Sequence, residues 1–140
     1  ALGHQACIEG FRVMYFNMDK LLSKLRMAKA DGSYIKEIAR IERQHLVIID
    51  DFGLQQLDNQ NRLVLLEIIE DRSNKKSMII TSQLPVERWY DIIGEKTVAD
   101  AIMDRLVYQS QRVELKGESM RKKRGQQPLF DDLLPNQIIN

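Results

Sequence analysis

At 140 residues and 16.3 kDa, the chain is long enough for one domain with a real core and too short for two. Its 44% hydrophobic and 29% charged residues are ordinary for a globular protein and argue against a disordered one. No apolar run approaches the ~20 residues that cross a bilayer, and the single cysteine, Cys7, can form neither an internal disulfide nor a cysteine metal site, so a reducing cytoplasm and no membrane are expected. Cys7 itself is expected to pack on a helix. The net charge of +1 speaks against a uniformly basic nucleic-acid binder, but its distribution is uneven. Lys116, Arg121, Lys122, Lys123 and Arg124 crowd together with only Glu118 opposing them, which suits phosphate contacts on DNA or, equally, a solvated tail.

In chain order, Ala1 to Glu9 reads as the end of a helix stopped by Gly10 in a left-handed turn, with no cap ahead of it. Phe11 to Phe16, rich in aromatic and β-branched residues, predicts a strand. Asn17 can cap the next helix, where Met18, Leu21, Leu22, Leu25 and Ala28 recur on one face, and Asp31-Gly32 ends it. Ser33 can cap a third helix with an apolar stripe of Ile35, Ile38 and Ala39. Leu46 to Ile49 is a continuous apolar run of the kind found in a strand covered on both faces.

Asp58 can cap a longer helix through Leu63, Leu66 and Ile69 that ends near Ser73-Asn74, and Ser77 to Thr81 predicts another strand. Pro85 suits the first turn of a short helix, and Thr97 can cap a further one carrying Ala101, Ile102, Leu106 and Val107. Gln111 to Leu115 alternates like a last strand. Strand and helix thus alternate four times, which selects an α/β domain with a mainly parallel sheet. The ordered domain is expected over residues 1–117, with residues 118–140 a basic segment and loosely ordered tail.

Ligand sites of open parallel sheets lie at the carboxyl ends of the strands. Four apolar residues followed by Asp50 and Asp51 put two carboxylates at such an end, the pattern of a Walker B strand. Its first acid holds Mg²⁺, usually through water, and its second orients or deprotonates an attacking water. Asp-Phe-Gly could equally be a turn. Thr81, Ser82 and Gln83 place three polar side chains where the next strand ends, at the position of a sensor for the terminal phosphate. Asp100 to Leu106 has the form of a helix that presents Arg105 to a neighbouring subunit's nucleotide, a task that suits a fixed planar cation. The competing reading is a surface arginine paired with Asp100 or Asp104.

Acid pair, polar strand end and Asp-Arg-Leu follow one another as in AAA+ ATPases. The segments His45 to Leu54, Ile79 to Pro85 and Lys116 to Arg121 resemble the IstB-like ATPases, helper proteins of bacterial insertion sequences; the match runs from Ala1 to roughly Arg124. The DnaC/DnaI helicase loaders share that core. The resemblance implies a three-layer P-loop NTPase fold, ATP and Mg²⁺ as cofactors, Asp50 on the metal, Asp51 on the water, Ser82 or Thr81 as sensor and Arg105 as finger. It also implies assembly of the full-length protein into a homo-oligomer on double-stranded DNA that passes a target to a transposase or, alternatively, loads a replicative helicase.

There is one departure. A P-loop reads G-x-x-x-x-G-K-[ST], and no such run occurs in these residues. In the family that loop directly precedes the helix ending at Gly10, so a fragment without the loop and its leading strand is expected, inactive toward ATP by itself. The leading strand would lie between the Ile79 and Val113 strands, so either those two close the gap or an edge of the sheet is unprotected. A receiver domain would need a phosphorylatable aspartate on a strand between the acid pair and Thr81, and a dinucleotide-binding enzyme a glycine-rich turn after Phe16; both are absent.

His45 and the Trp89-Tyr90 pair are expected to be structural, His45 opening a strand and the pair packing a short helix on the body.

Overall fold

A computed structural model describes residues 2–114. The elements are α1 (Leu2–Ile8), β1 (Val13–Asn17), α2 (Met18–Asp31), α3 (Tyr34–Glu42), β2 (Leu46–Asp50), α4 (Asn59–Arg72), β3 (Ser77–Ile80), α5 (Trp89–Ile93) and α6 (Lys96–Met103). A 3₁₀ turn, Val86–Arg88, leads into α5, and a wide π-helical turn, Asp104–Tyr108, extends α6. Among the described residues the sheet is three parallel strands in the order β1-β2-β3. Both crossovers step in one direction, so right-handed connections place α2, α3 and α4 on the same face.

On that face Val47 and Ile49 of β2 and Ile80 of β3 are buried against Leu21, Leu25, Leu65 and Ile68. The opposite face carries Val13 and Ile48 beneath α1, whose Gly3 sits so close that an added Cβ would lie 2.8 Å from Ile48 Cδ1. Helices on both sides of a parallel sheet make the α/β architecture that the alternating pattern predicts. Coverage is unequal, however. Leu46 and Ile48 are only half-buried, so β2 is not fully covered on both faces by the described residues.

Most helix signals hold. Asn17 caps α2 by accepting from the backbone N–H of Asp19 at 3.1 Å and of Lys20 at 3.3 Å. All five apolar residues predicted on its inner face are buried, and Gly32 ends it with φ at +85°. Asp58 caps α4 through the N–H of Asn61, 2.8 Å away. Trp89 is buried against Phe52, ring centroids 4.6 Å apart, with Nε1 donating to the carbonyl of Leu84 at 3.1 Å. His45 is structural: Nδ1 accepts from the N–H of Arg12 at 2.9 Å, and the ring meets Phe11 edge-on.

Several expectations are corrected. β1 starts at Val13, because Phe11 packs on His45 instead, and it runs one residue further, to Asn17. Ser33 stands at the start of α3 without a side-chain cap and instead bonds Asp31. The buried stripe of α3 is Ile38 and Ile41, while Ile35 is 82% exposed. On α4, Leu63 is exposed, and Val64, Leu65, Ile68 and Ile69 face inward.

The cap of α6 is Glu95, whose carboxylate accepts from Val98 N–H at 2.7 Å, so the helix begins earlier than a Thr97 cap would allow. Cys7 is exposed, because α1 turns its small residues Gly3 and Ala6 toward the sheet. Residues 111–114 form no strand. Gln111 and Arg112 instead line a shallow groove with Met78, Ile79 and Ile80 of β3, and Arg112 is drawn away toward Glu87 at 3.3 Å. Among the described residues the outer edge of β3 is therefore unpaired. Leu115 and the tail lie outside the described residues.

Candidate nucleotide site

Parallel register brings the ends of three strands level. Asn17 on β1 stands opposite Asp50 on β2, and Ile49 opposite Ile80 on β3, so Thr81 follows directly beside Asp50. The chain then leaves β2 sharply. Asp51 has φ at +61° and Gly53 at +95°; a short polar side chain tolerates the left-handed region, and glycine is free of its cost. An added Cβ at Gly53 would also lie 2.8 Å from Leu84 Cδ1. The turn is tied to the neighbouring strand by the Phe52 N–H, which donates to the Thr81 carbonyl at 2.9 Å.

The side chains converge on the acids. The Thr81 hydroxyl donates to Asp50 Oδ1 and accepts from the backbone N–H of Asp51 at 3.3 Å. Asn17 Nδ2 donates to Asp51 Oδ2 at 3.2 Å. From β1, the Tyr15 hydroxyl donates to Asp50 Oδ2. That bond first, then burial, then the charges of Asp50 and Asp51 push the Tyr15 hydroxyl up to about 12, so it stays a donor at neutral pH.

Ser82 has a different task. Its hydroxyl donates to the Phe52 carbonyl at 2.6 Å and accepts from Leu84 N–H at 3.0 Å, which holds the turn after β2 against the turn after β3. Of the two sensor candidates, Thr81 is the one directed at the acids.

Arg105 is not with them. It donates to the Ala101 carbonyl at 3.0 Å and pairs with Glu70 at 3.3 Å, rather than with Asp100 or Asp104. Glu70 lies near the C-terminal end of α4, which runs back toward the start of β3. Arg105 therefore belongs to the end of the sheet opposite Asp50 in the same chain. Lys116, Arg121, Lys122, Lys123 and Arg124 fall outside the described residues.

Two roles were not read from the sequence: Tyr15 on Asp50, and the second use of Asn17, on Asp51. The available signal was the period of two on a strand, which puts Tyr15 and Asn17 on one face, combined with parallel pairing to β2.

The donor set is made of hard oxygens, two carboxylates and a hydroxyl, which suits Mg²⁺. Among the described residues no three His, Cys, Asp or Glu side chains cluster as a metal cage. No helix among the described residues is long and apolar enough to cross a membrane.

The chain is 48% identical over 122 residues to the putative insertion sequence ATP-binding protein y4pL of Sinorhizobium fredii, covering 87% of this chain and 50% of that protein. It is 29% identical over 123 residues to the insertion sequence IS21 putative ATP-binding protein of Pseudomonas aeruginosa, covering 88% and 46%. The chain thus spans about half the length of these relatives. Among solved structures it is similar to the DnaC helicase loader, with a TM-score of 0.56 and 21% identity over 71% of this chain and 61% of the loader. It is also similar to AMPPCP-bound DnaA from Aquifex aeolicus, with a TM-score of 0.64 and 17% identity over 73% and 32%. These likenesses show a shared parallel α/β fold. The sequence profile of the IstB-like ATP binding protein family matches residues 1–128, and the chain belongs to that family.

Proposed function

We propose that this chain supplies the metal and water side of the nucleotide site in an ATPase that assists DNA transposition. The observation that carries this reading is the convergence of Asp50, Asp51 and Thr81 at the ends of two adjacent parallel strands. Asp50 would hold Mg²⁺ through water. When bound, that ion neutralises the phosphate oxygens. Asp51, anchored by Asn17, orients the attacking water and accepts its proton, and Thr81 links the two acids and senses the terminal phosphate, with Ser82 holding the turn behind it. Arg105, directed away from its own site, serves as the finger for a neighbouring copy in a homo-oligomer.

The names of the relatives favour insertion-sequence transposition over helicase loading, since the similarity to DnaC supports the fold alone. Double-stranded DNA and a transposase are the partners of this reading, with Lys116 and Arg121 to Arg124 meeting DNA phosphates. No phosphate-binding loop occurs in these 140 residues, so the isolated chain is expected to show no Mg-ATP turnover.

The test is ATP hydrolysis by the full-length protein. Asp51→Asn should retain nucleotide binding while turnover falls by roughly 10²-fold or more. Turnover at the wild-type rate in Asp51→Asn would remove the water-activating role and the reading with it.

A further inference from the structure

We propose that Tyr15 is a positioning residue of this site, its hydroxyl fixing the carboxylate of Asp50 from the neighbouring strand. The inference rests on the metal role of Asp50 proposed above. Tyr15 stands opposite Ile48 in the β1–β2 register, two residues before Asp50 and on the same face. Its side chain reaches along the strand so that the hydroxyl donates to Asp50 Oδ2, while Thr81 donates to Oδ1 from the other side. Each oxygen of one carboxylate is thus engaged from a different flanking strand.

Burial does not account for this placement. Tyr15 is 60% exposed and is not among the residues packed on the core. Among the described residues the ring is held through the bond its hydroxyl donates to Asp50. A carboxylate has about four lone-pair sites, so the bonds from Tyr15 and Thr81 do not use up what Asp50 can accept. Holding its plane fixed removes a rotation that would otherwise be lost on binding, and such outer partners tune metal affinity.

The experiment compares wild-type, Tyr15→Phe and Asp50→Asn full-length proteins. Mn²⁺ binding is read by electron paramagnetic resonance in the presence of a non-hydrolysable ATP analogue, alongside analogue binding without metal and thermal unfolding. Tyr15→Phe keeps the ring and removes only the donor. Mn²⁺ affinity should fall roughly 10-fold, with Tm and metal-free analogue binding unchanged. Wild-type Mn²⁺ affinity in Tyr15→Phe, with Asp50→Asn impaired, would overturn the role of Tyr15 and leave the site intact. Unchanged affinity in both variants would overturn the reading of Asp50 and this inference together. A fall in Mn²⁺ affinity matched by a lower Tm would make Tyr15 a structural residue and overturn the proposal.

Discussion

Asn17 holds Asp51 with one end of its amide and starts a helix with the other: Nδ2 donates to Asp51 Oδ2 at 3.2 Å, and Oδ1 accepts from the N–H groups of Asp19 and Lys20. The last residue of β1 thus couples the folding of α2 to the placement of an acid. Asn17→Ala should lose about 1 kcal/mol of stability from the cap. Asn17→Asp separates the two uses, because a carboxylate caps well and favours the helix N-terminus but cannot donate to Asp51. Chemical denaturation should show Asn17→Ala less stable than the wild type, and ATP turnover of the full-length protein should be impaired in both variants, the carboxylate of Asn17→Asp also repelling Asp51. Wild-type turnover in Asn17→Asp would show that the contact with Asp51 is dispensable.

At the other end of the sheet, a single cation gathers three chain segments. Arg72 is 2% exposed and donates to the carbonyls of Ile41 at 3.0 Å, His45 at 3.3 Å and Ser77 at 2.6 Å. These lie at the end of α3, just before β2 and at the start of β3. Burial lowers its pKa from the usual arginine value; Nη1 and Nη2 of its planar fork make these bonds, while the buried Nε has no partner among the described residues. Arg72→Ala should cost roughly 3 kcal/mol by leaving buried carbonyls unsatisfied. Arg72→Lys should recover only part of that, since one ammonium cannot reproduce the fork. Equal stability of the lysine variant and wild type in urea titrations would contradict this account.

Acid should destabilise the fold through its helix caps. The Asn61 backbone N–H first, and the Arg26 guanidinium next, hold the Asp58 carboxyl below its usual value; Val98 and Thr97 N–H groups do the same for Glu95. With the folded pKa below the unfolded one, the unfolded chain takes up protons more readily. The stabilisation is then whole above the unfolded value of about 4 and is lost as pH falls through the folded value. Asp58→Asn keeps an acceptor for the cap but does not titrate. Melting curves from neutral pH down to about 3 should therefore fall less steeply for the variant, and parallel curves would count against this assignment.

What the sequence disclosed depended on how local the cause was. The face of α2 was legible because its apolar residues recur on one stripe, and the caps at Asn17 and Asp58 because each bonds its own helix. The phases of α3 and α4 were legible only in part: Ile38 and Ile69 are buried and Leu66 packs on the core as expected, but Ile35 and Leu63 are as apolar as these and only the direction of the sheet decides which turn inward. Glu95 was passed over for Thr97 because residue preference does not reveal where the chain leaves its extended conformation. The placement of the acids beside the polar end of the next strand was legible, though not the choice between Thr81 and Ser82, while Tyr15 on Asp50 follows from which strand pairs with which, and in what register. The alternation of residues 111–115 suggested a strand, yet alternation supplies no partner for the ladder.

Arg105 offers the sharpest separation of structural from catalytic roles. Its pair with Glu70 is a partly exposed one, the side chains being 31% and 49% accessible, and such pairs contribute about 1 kcal/mol or less. Arg105→Ala should therefore barely change unfolding of the full-length protein. An arginine finger is worth about 10³-fold or more in turnover, so ATP hydrolysis by the assembled protein should collapse. Because Arg105 lies at the end of the sheet away from Asp50 in its own chain, the finger role proposed for it would be toward a neighbour's nucleotide. Mixing Arg105→Ala with Asp51→Asn subunits should then restore activity, as some interfaces pair an intact acid with an intact arginine. If the mixture stays as inactive as either variant alone while still assembling, Arg105 does not act across the subunit boundary, and its bonds to Glu70 and Ala101 are structural.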